Sequence, residues 1–178
     1  MANIAPTLVA SHTALPPEGA NFPRGGPSEN CLPPPAPPKT DFSWPVRVYW
    51  EDTDAGGIVF YANYLKFFER SRTEWLRSLG IEQQRLKDSS GGIFVVLETS
   101  IRYHRPARLD DELIVTASIV ETGRASMIIK QQALLKTEQP STQCTTLLCE
   151  GTIRIGWVRA ATLQPMRMPA SLLDSLKT

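Results

Sequence analysis

The sequence predicts an α+β fold in which a curved antiparallel sheet of about five strands wraps one long, central, apolar helix. Three observations lead there. Residues 62–79 follow a helical period and are apolar on more than one face. Four long strand-like segments come after them, and one short strand-like segment comes before. A helix with that many apolar faces cannot be left in water, and a sheet curved around it buries them.

The first strand is expected over residues 45–50, which are rich in β-branched and aromatic side chains. Residues 51–57, Glu-Asp-Thr-Asp-Ala-Gly-Gly, carry turn chemistry. In the helix, Leu65, Phe68, Arg72, Trp75, Leu76 and Leu79 form a stripe, which Tyr64 and Phe67 widen. Asn63 is a candidate N-cap, and Gly80 suits a left-handed residue just past the helix end. Residues 81–92 read as a helix exit and a glycine-containing loop. The later strands are expected over residues 94–104, 112–121, 126–136 and 145–157. Leu113, Val115, Ala117 and Ile119 share one face of the second of these, Ile128 and Leu134 belong to the third, and Leu147, Ile153 and Ile155 to the fourth. Short connections at Asp110-Asp111, Thr122-Gly123 and Gln139-Pro140-Ser141 suit hairpins. A short helix is expected over residues 170–177.

With 178 residues the chain suits a single folded domain. Most of its 15 prolines fall in residues 1–43, which read as a disordered Pro-rich tail ahead of a folded domain at 44–178. Such a tail can meet a proline-reading groove in a partner. The net charge of +1 gives no reason to expect nucleic acid or an anionic membrane as partner. No apolar run is long enough for a membrane span, and the N-terminus lacks a signal-peptide pattern. The three cysteines are odd in number and have no CxxC spacing, so reduced thiols and a cytoplasmic location are expected. No residue cluster has metal-ligand spacing, no glycine-rich phosphate loop is present, and no cofactor is expected.

The chemistry concentrates ahead of the helix. Asp54 stands between a strand end and a helix start, followed by Gly56 and Gly57. A helix N-terminus offers free N–H groups that can polarise a carbonyl and hold the oxyanion formed on attack. A nearby carboxylate can attack that carbonyl or deprotonate a water, and glycines let the backbone approach a ligand closely. The same residues also suit a capping cluster that only stabilises the helix.

Residues 46–65, Val-Arg-Val-Tyr-Trp-Glu-Asp-Thr-Asp-Ala-Gly-Gly-Ile-Val-Phe-Tyr-Ala-Asn-Tyr-Leu, closely resemble the signature of the 4-hydroxybenzoyl-CoA thioesterase family. Residues 67–77 and 103–113 extend the resemblance, which spans roughly residues 44–170. Within the family, the chain is most similar to the acyl-CoA thioesterases associated with the bacterial Tol–Pal envelope system. The resemblance implies a hot-dog fold and hydrolysis of an acyl-CoA or acyl carrier protein thioester. It places the catalytic carboxylate at Asp54 and the polarising backbone N–H at Tyr61, with Gly57 and Asn63 beside the substrate. Tol–Pal-group relatives often carry histidine where this chain has Tyr61; tyrosine keeps the backbone donor but has no group titrating near neutral pH. Arg124 matches the family's basic loop and is the first candidate for the CoA phosphates, ahead of Arg159 and Arg167. The family implies a homodimer or homotetramer with active sites between subunits and sheets joined edge to edge.

Other acids and His104 rank lower. Glu69 faces Arg72 at i+3 and Thr73 at i+4, which suits a surface ion pair, although another hot-dog branch uses a helical glutamate. Glu51 and Asp52 read as structural acids balancing Arg47 or the helix dipole. Two rival functions remain: a non-hydrolytic acyl-thioester scaffold that partners lipid-synthesis or envelope proteins, and a dehydratase using His104.

Overall fold

A computed structural model describes residues 42–139 and 142–176. The first 41 residues of the expected tail lie outside the described residues, which begin at Phe42. The elements run β1 (Phe42–Arg47), a 3-10 turn (Trp50–Asp52), α1 (Asn63–Ser78), α2 (Gln83–Ser90), β2 (Gly92–Tyr103), β3 (Glu112–Thr122), β4 (Ser126–Gln139), β5 (Thr142–Arg159) and α3 (Ala170–Leu176). The strands form one sheet in the order β1-β3-β4-β5-β2, and every pairing is antiparallel.

Aromatic residues drive α1 into the sheet. Tyr64, Phe67, Phe68, Trp75 and Leu76 are buried against Leu113, Val115 and Ala117 of β3, Met127, Ile129 and Ala133 of β4, and Leu148, Ile153, Ile155 and Trp157 of β5. Leu65, expected in the buried stripe, is exposed instead, because the arc turns toward Tyr64, Phe68 and Ser71. Lys66, Glu69, Arg70 and Arg77 stay exposed. Gly80 ends the helix as expected. Its φ is 75°, its N–H donates to the Arg77 carbonyl at 2.9 Å, and the Ile81 N–H donates to that of Leu76 at 2.9 Å. Those two bonds satisfy carbonyls that the last turn leaves free, and the left-handed conformation they need favours glycine.

Three expectations are corrected. β1 ends at Arg47, so Tyr49 and Trp50 leave the sheet in the 3-10 turn and are exposed. Pro45 is tolerated because β1 is an edge strand. Residues 83–90 form α2 rather than a loop. Asp110-Asp111 is not a hairpin: β2 pairs with β5, so the chain after Tyr103 crosses to β3 beneath the start of α1. On β4 the buried face is Met127, Ile129, Gln131 and Ala133, which leaves Ile128 and Leu134 on the other side.

Two features of this frame matter for the site. The hydroxyl of Tyr64, early in α1, accepts the Ala107 N–H ahead of β3, while Ser71, about two turns later, donates its hydroxyl to the Val115 carbonyl within β3. Helix and strand therefore advance together. Second, β2 leaves one long edge unpaired, with Val96 51% and Leu97 45% exposed beside a bulge.

Candidate active site

Asp54 opens a tight hairpin between Thr53 and Val59, which bridge in antiparallel fashion. The Asp54 N–H donates to the Ile58 carbonyl and the Gly57 N–H to the Asp54 carbonyl, both at 2.9 Å. Gly57 has φ 72°, the left-handed residue that three-residue hairpin loops require. The Asp54 side chain is exposed, and its Oδ1 accepts the Gly56 N–H at 2.8 Å. Among the described residues no guanidinium or ammonium group pairs with it.

Asp52 holds the other arm of the hairpin. It is buried, its Oδ2 accepts the Tyr49 N–H at 2.9 Å, and its backbone carbonyl accepts both the Phe60 N–H at 2.9 Å and Asn63 Nδ2 at 3.0 Å. It is structural, as expected, but does not balance Arg47, which pairs with Glu112 and also donates to the Asp110 carbonyl. Asn63 is the first helical residue and not the N-cap, a position that Ala62 fills without a side-chain bond. The Asn63 amide, only 6% exposed, braces the loop through Asp52.

Tyr61 completes the arrangement. The Phe60 carbonyl accepts the Asn63 N–H at 2.8 Å, which orients the Phe60–Tyr61 peptide. Across a trans peptide the N–H points opposite to the C=O, so the Tyr61 N–H is directed away from the helix. Among the described residues it has no acceptor. One short segment thus carries an exposed carboxylate and an unused backbone donor beside a helix start. Together they can attack, or activate water against, a carbonyl whose oxygen is held from the other side.

Known proteins resemble this chain in sequence and in fold. Residues 56–141 match the family model described as the thioesterase superfamily. The acyl-CoA thioesterase YbgC of Haemophilus influenzae is 40% identical over 128 residues, covering 72% of this chain and 88% of that protein. The chain belongs to the thioesterase superfamily. The acyl-CoA thioester hydrolase YbgC of an Escherichia coli strain is 38% identical over 138 residues, covering 78% of this thioesterase and 97% of that protein. A probable thioesterase from Bartonella henselae superposes with a TM-score of 0.63 at 29% identity, over 72% of this chain and 99% of that one. A 4-hydroxybenzoyl CoA thioesterase superposes with a TM-score of 0.70 over 77% and 99%. At 16% identity that likeness speaks for the hot-dog fold alone.

The remaining candidates in this thioesterase scatter. Glu69 Oε1 accepts the Thr73 hydroxyl at 2.7 Å, while Arg72 turns inward and donates to Gln131 Oε1 at 2.6 Å, so the expected ion pair is not made. Burial lowers the Arg72 pKa, with the Glu69 carboxylate pulling the other way. Both residues line an apolar cavity of about 130 Å³ between α1 and β2, which Asp54 does not reach. His104 Nε2 lies 3.0 Å from Glu150 Oε1. Arg124 and Arg167 border one cleft with Thr122, Gly123 and Leu173, past the far end of β3. Arg159 ends β5. Asp54 lies at the near end of β3, beside the Ile58–Arg108 bridge. The 11 residues of β3 span about 36 Å of chain, so Arg124 and Asp54 of one chain stand at opposite ends of the sheet. The pairing of Arg124 with Arg167 and the Tyr103 contact described below were missed; both depend on distant segments meeting, which no local pattern announces.

Proposed function

We propose that this protein hydrolyses acyl-CoA thioesters, releasing a free acid and CoA, with Asp54 as the reacting carboxylate and the Tyr61 N–H polarising the thioester carbonyl. The observation that carries the proposal is the exposed Asp54 carboxylate sharing one hairpin-to-helix segment with an unbonded main-chain N–H. As the carboxylate or a water that it deprotonates adds to the carbonyl carbon, negative charge builds on oxygen facing the Tyr61 N–H. The carbon–sulfur bond then breaks and the CoA thiolate leaves and takes up a proton. If Asp54 itself adds, a mixed anhydride forms and water cleaves it. Gly57 shapes the loop so that its backbone can approach the thioester. Asn63 supports the site through Asp52.

The site needs a second copy of the chain. A single chain leaves Asp54 exposed and puts Arg124 and Arg167 at the far end of the sheet. Antiparallel pairing of two β2 edges brings the far end of one sheet toward the near end of the other. It also covers Val96 and Leu97 and removes an open edge. The cleft of Arg124 and Arg167 then holds substrate phosphates for the partner's carboxylate. The assembly is a homodimer, or two such dimers. The substrate class and the buried free thiol of Cys149 favour a cytoplasmic location. Among the described residues no helix is long and apolar enough to cross a membrane.

The test is thiol release from short-, medium- and long-chain acyl-CoA and acyl carrier protein thioesters. Release by the wild type supports the proposal. Saturable binding of every thioester without thiol release would point to a scaffold instead, and changed absorbance of an enoyl thioester to a dehydratase.

A further inference from the structure

We propose that Tyr103 is a positioning residue of the hydrolytic site, holding the Tyr61 main chain so that its N–H faces the thioester carbonyl; this rests on the function proposed above. Tyr103 ends β2, where it pairs with Cys149 of β5, so the sheet fixes its backbone. Its hydroxyl donates to the Tyr61 carbonyl oxygen at 3.0 Å across 42 residues of sequence. Its ring meets Tyr61 edge-on at 6.5 Å and Tyr64 at 5.7 Å. Tyr64 is tied in turn to the loop ahead of β3 through its bond with the Ala107 N–H, at 3.0 Å.

Both peptide planes that meet at the Tyr61 Cα are therefore pinned. The one that carries the N–H is held through the Phe60 carbonyl by the Asn63 N–H. The one that follows is held through the Tyr61 carbonyl by the Tyr103 hydroxyl. With one pin lost, the two soft dihedrals of Tyr61 relax together and the N–H no longer keeps a single direction. An oxyanion donor works because it is aimed before the charge develops. Burial, followed by the nearby Cys149 and Tyr61, pushes the Tyr103 hydroxyl up to about 12, so it keeps its proton and stays a donor at any ordinary working pH. Packing alone would be served as well by phenylalanine; the bond to a main-chain oxygen would not.

The experiment compares Tyr103→Phe with the wild type in steady-state kinetics and thermal unfolding. A second comparison takes Asp54→Asn and Asp54→Asn/Tyr103→Phe, each saturated with an acyl-CoA that the wild type hydrolyses, and records the infrared stretch of the bound thioester carbonyl. We expect kcat to fall about tenfold, part of the loss that follows removal of a whole oxyanion donor, with KM and Tm close to the wild type. The carbonyl stretch should be displaced to lower frequency in Asp54→Asn and less displaced in the double variant. Unchanged kcat, an identical stretch in the two variants, or a loss that only follows a lowered Tm overturns the positioning role. If Asp54→Asn is inactive while Tyr103→Phe matches the wild type, only this inference fails. If the wild type hydrolyses no acyl-CoA, the functional proposal and this inference fail together.

Discussion

The Gly56 N–H donates to Asp54 Oδ1 at 2.8 Å, which fixes one carboxylate oxygen inside its own hairpin loop. Among the described residues Oδ2 has no hydrogen-bond partner, so it is the oxygen available for chemistry. Asp54→Asn retains the Oδ1 acceptor and the loop but replaces that second oxygen with an amide that neither attacks nor accepts a proton. Turnover should drop by about 10²–10⁴-fold, with Tm and CoA affinity unchanged. Near-normal thiol release from this variant would remove Asp54 from the reaction.

How much of this could be read from the chain depended on how local each signal was. Gly80 and the aromatic run of α1 announce a helix and its end, because propensity, period and capping act within a few residues. The Asp54 segment was legible for the same reason: turn, carboxylate and helix start are contiguous. α2 was missed because residues 83–90 are polar nearly all round, with Leu86 the one apolar side chain packed on the core. The buried arc of α1 was misplaced at Leu65, since a helical period alone does not say which of two adjacent apolar residues meets the sheet. Asp110-Asp111 looked like a hairpin because the turn residues are right; strand order is set by the whole sheet. The separation of Arg124 from Asp54 follows from that order and from the length of β3, neither of which local pattern contains.

Glu112 joins three strands. It pairs with Arg47 of β1 and, at 3.1 Å, with Lys136 of β4. The Lys136 hydrogen bond, and then the Arg47 charge, hold its carboxyl below the ordinary carboxylate range. A folded pKa below the unfolded one means that the stabilisation is fully present above the unfolded value and is lost as pH falls through the folded value. Glu112→Gln should therefore lower Tm slightly near neutrality, and the gap from the wild type should close in acid. Because the cluster is exposed, salt should also narrow the gap. Equal gaps at neutral and strongly acid pH contradict this role.

Gly92 opens β2 against the ring of Trp157, itself fully buried and packed on Phe94 with centroids 4.8 Å apart. A Cβ at residue 92 would lie 2.2 Å from Trp157 Cζ2. The ring cannot yield without disturbing the core, so Gly92→Ala should cost about 1–3 kcal/mol, read as a lower midpoint in urea at unchanged slope. A midpoint equal to the wild type would show that the strand start shifts freely.

Arg124 carries the prediction that separates one chain from two. If its guanidinium holds substrate phosphate, Arg124→Ala should raise KM about tenfold with kcat nearly unchanged, since a charge-assisted bond made equally in ground and transition states is lost. Which carboxylate it serves can be read from mixed dimers of Asp54→Asn and Arg124→Ala chains. With sites shared between subunits, one site of each mixed dimer carries both changes and the other carries neither, so activity with wild-type KM returns on mixing. With each site inside one chain, every site keeps a lesion and the only activity is the high-KM activity of Arg124→Ala. The span of β3 between Asp54 and Arg124 favours the first outcome.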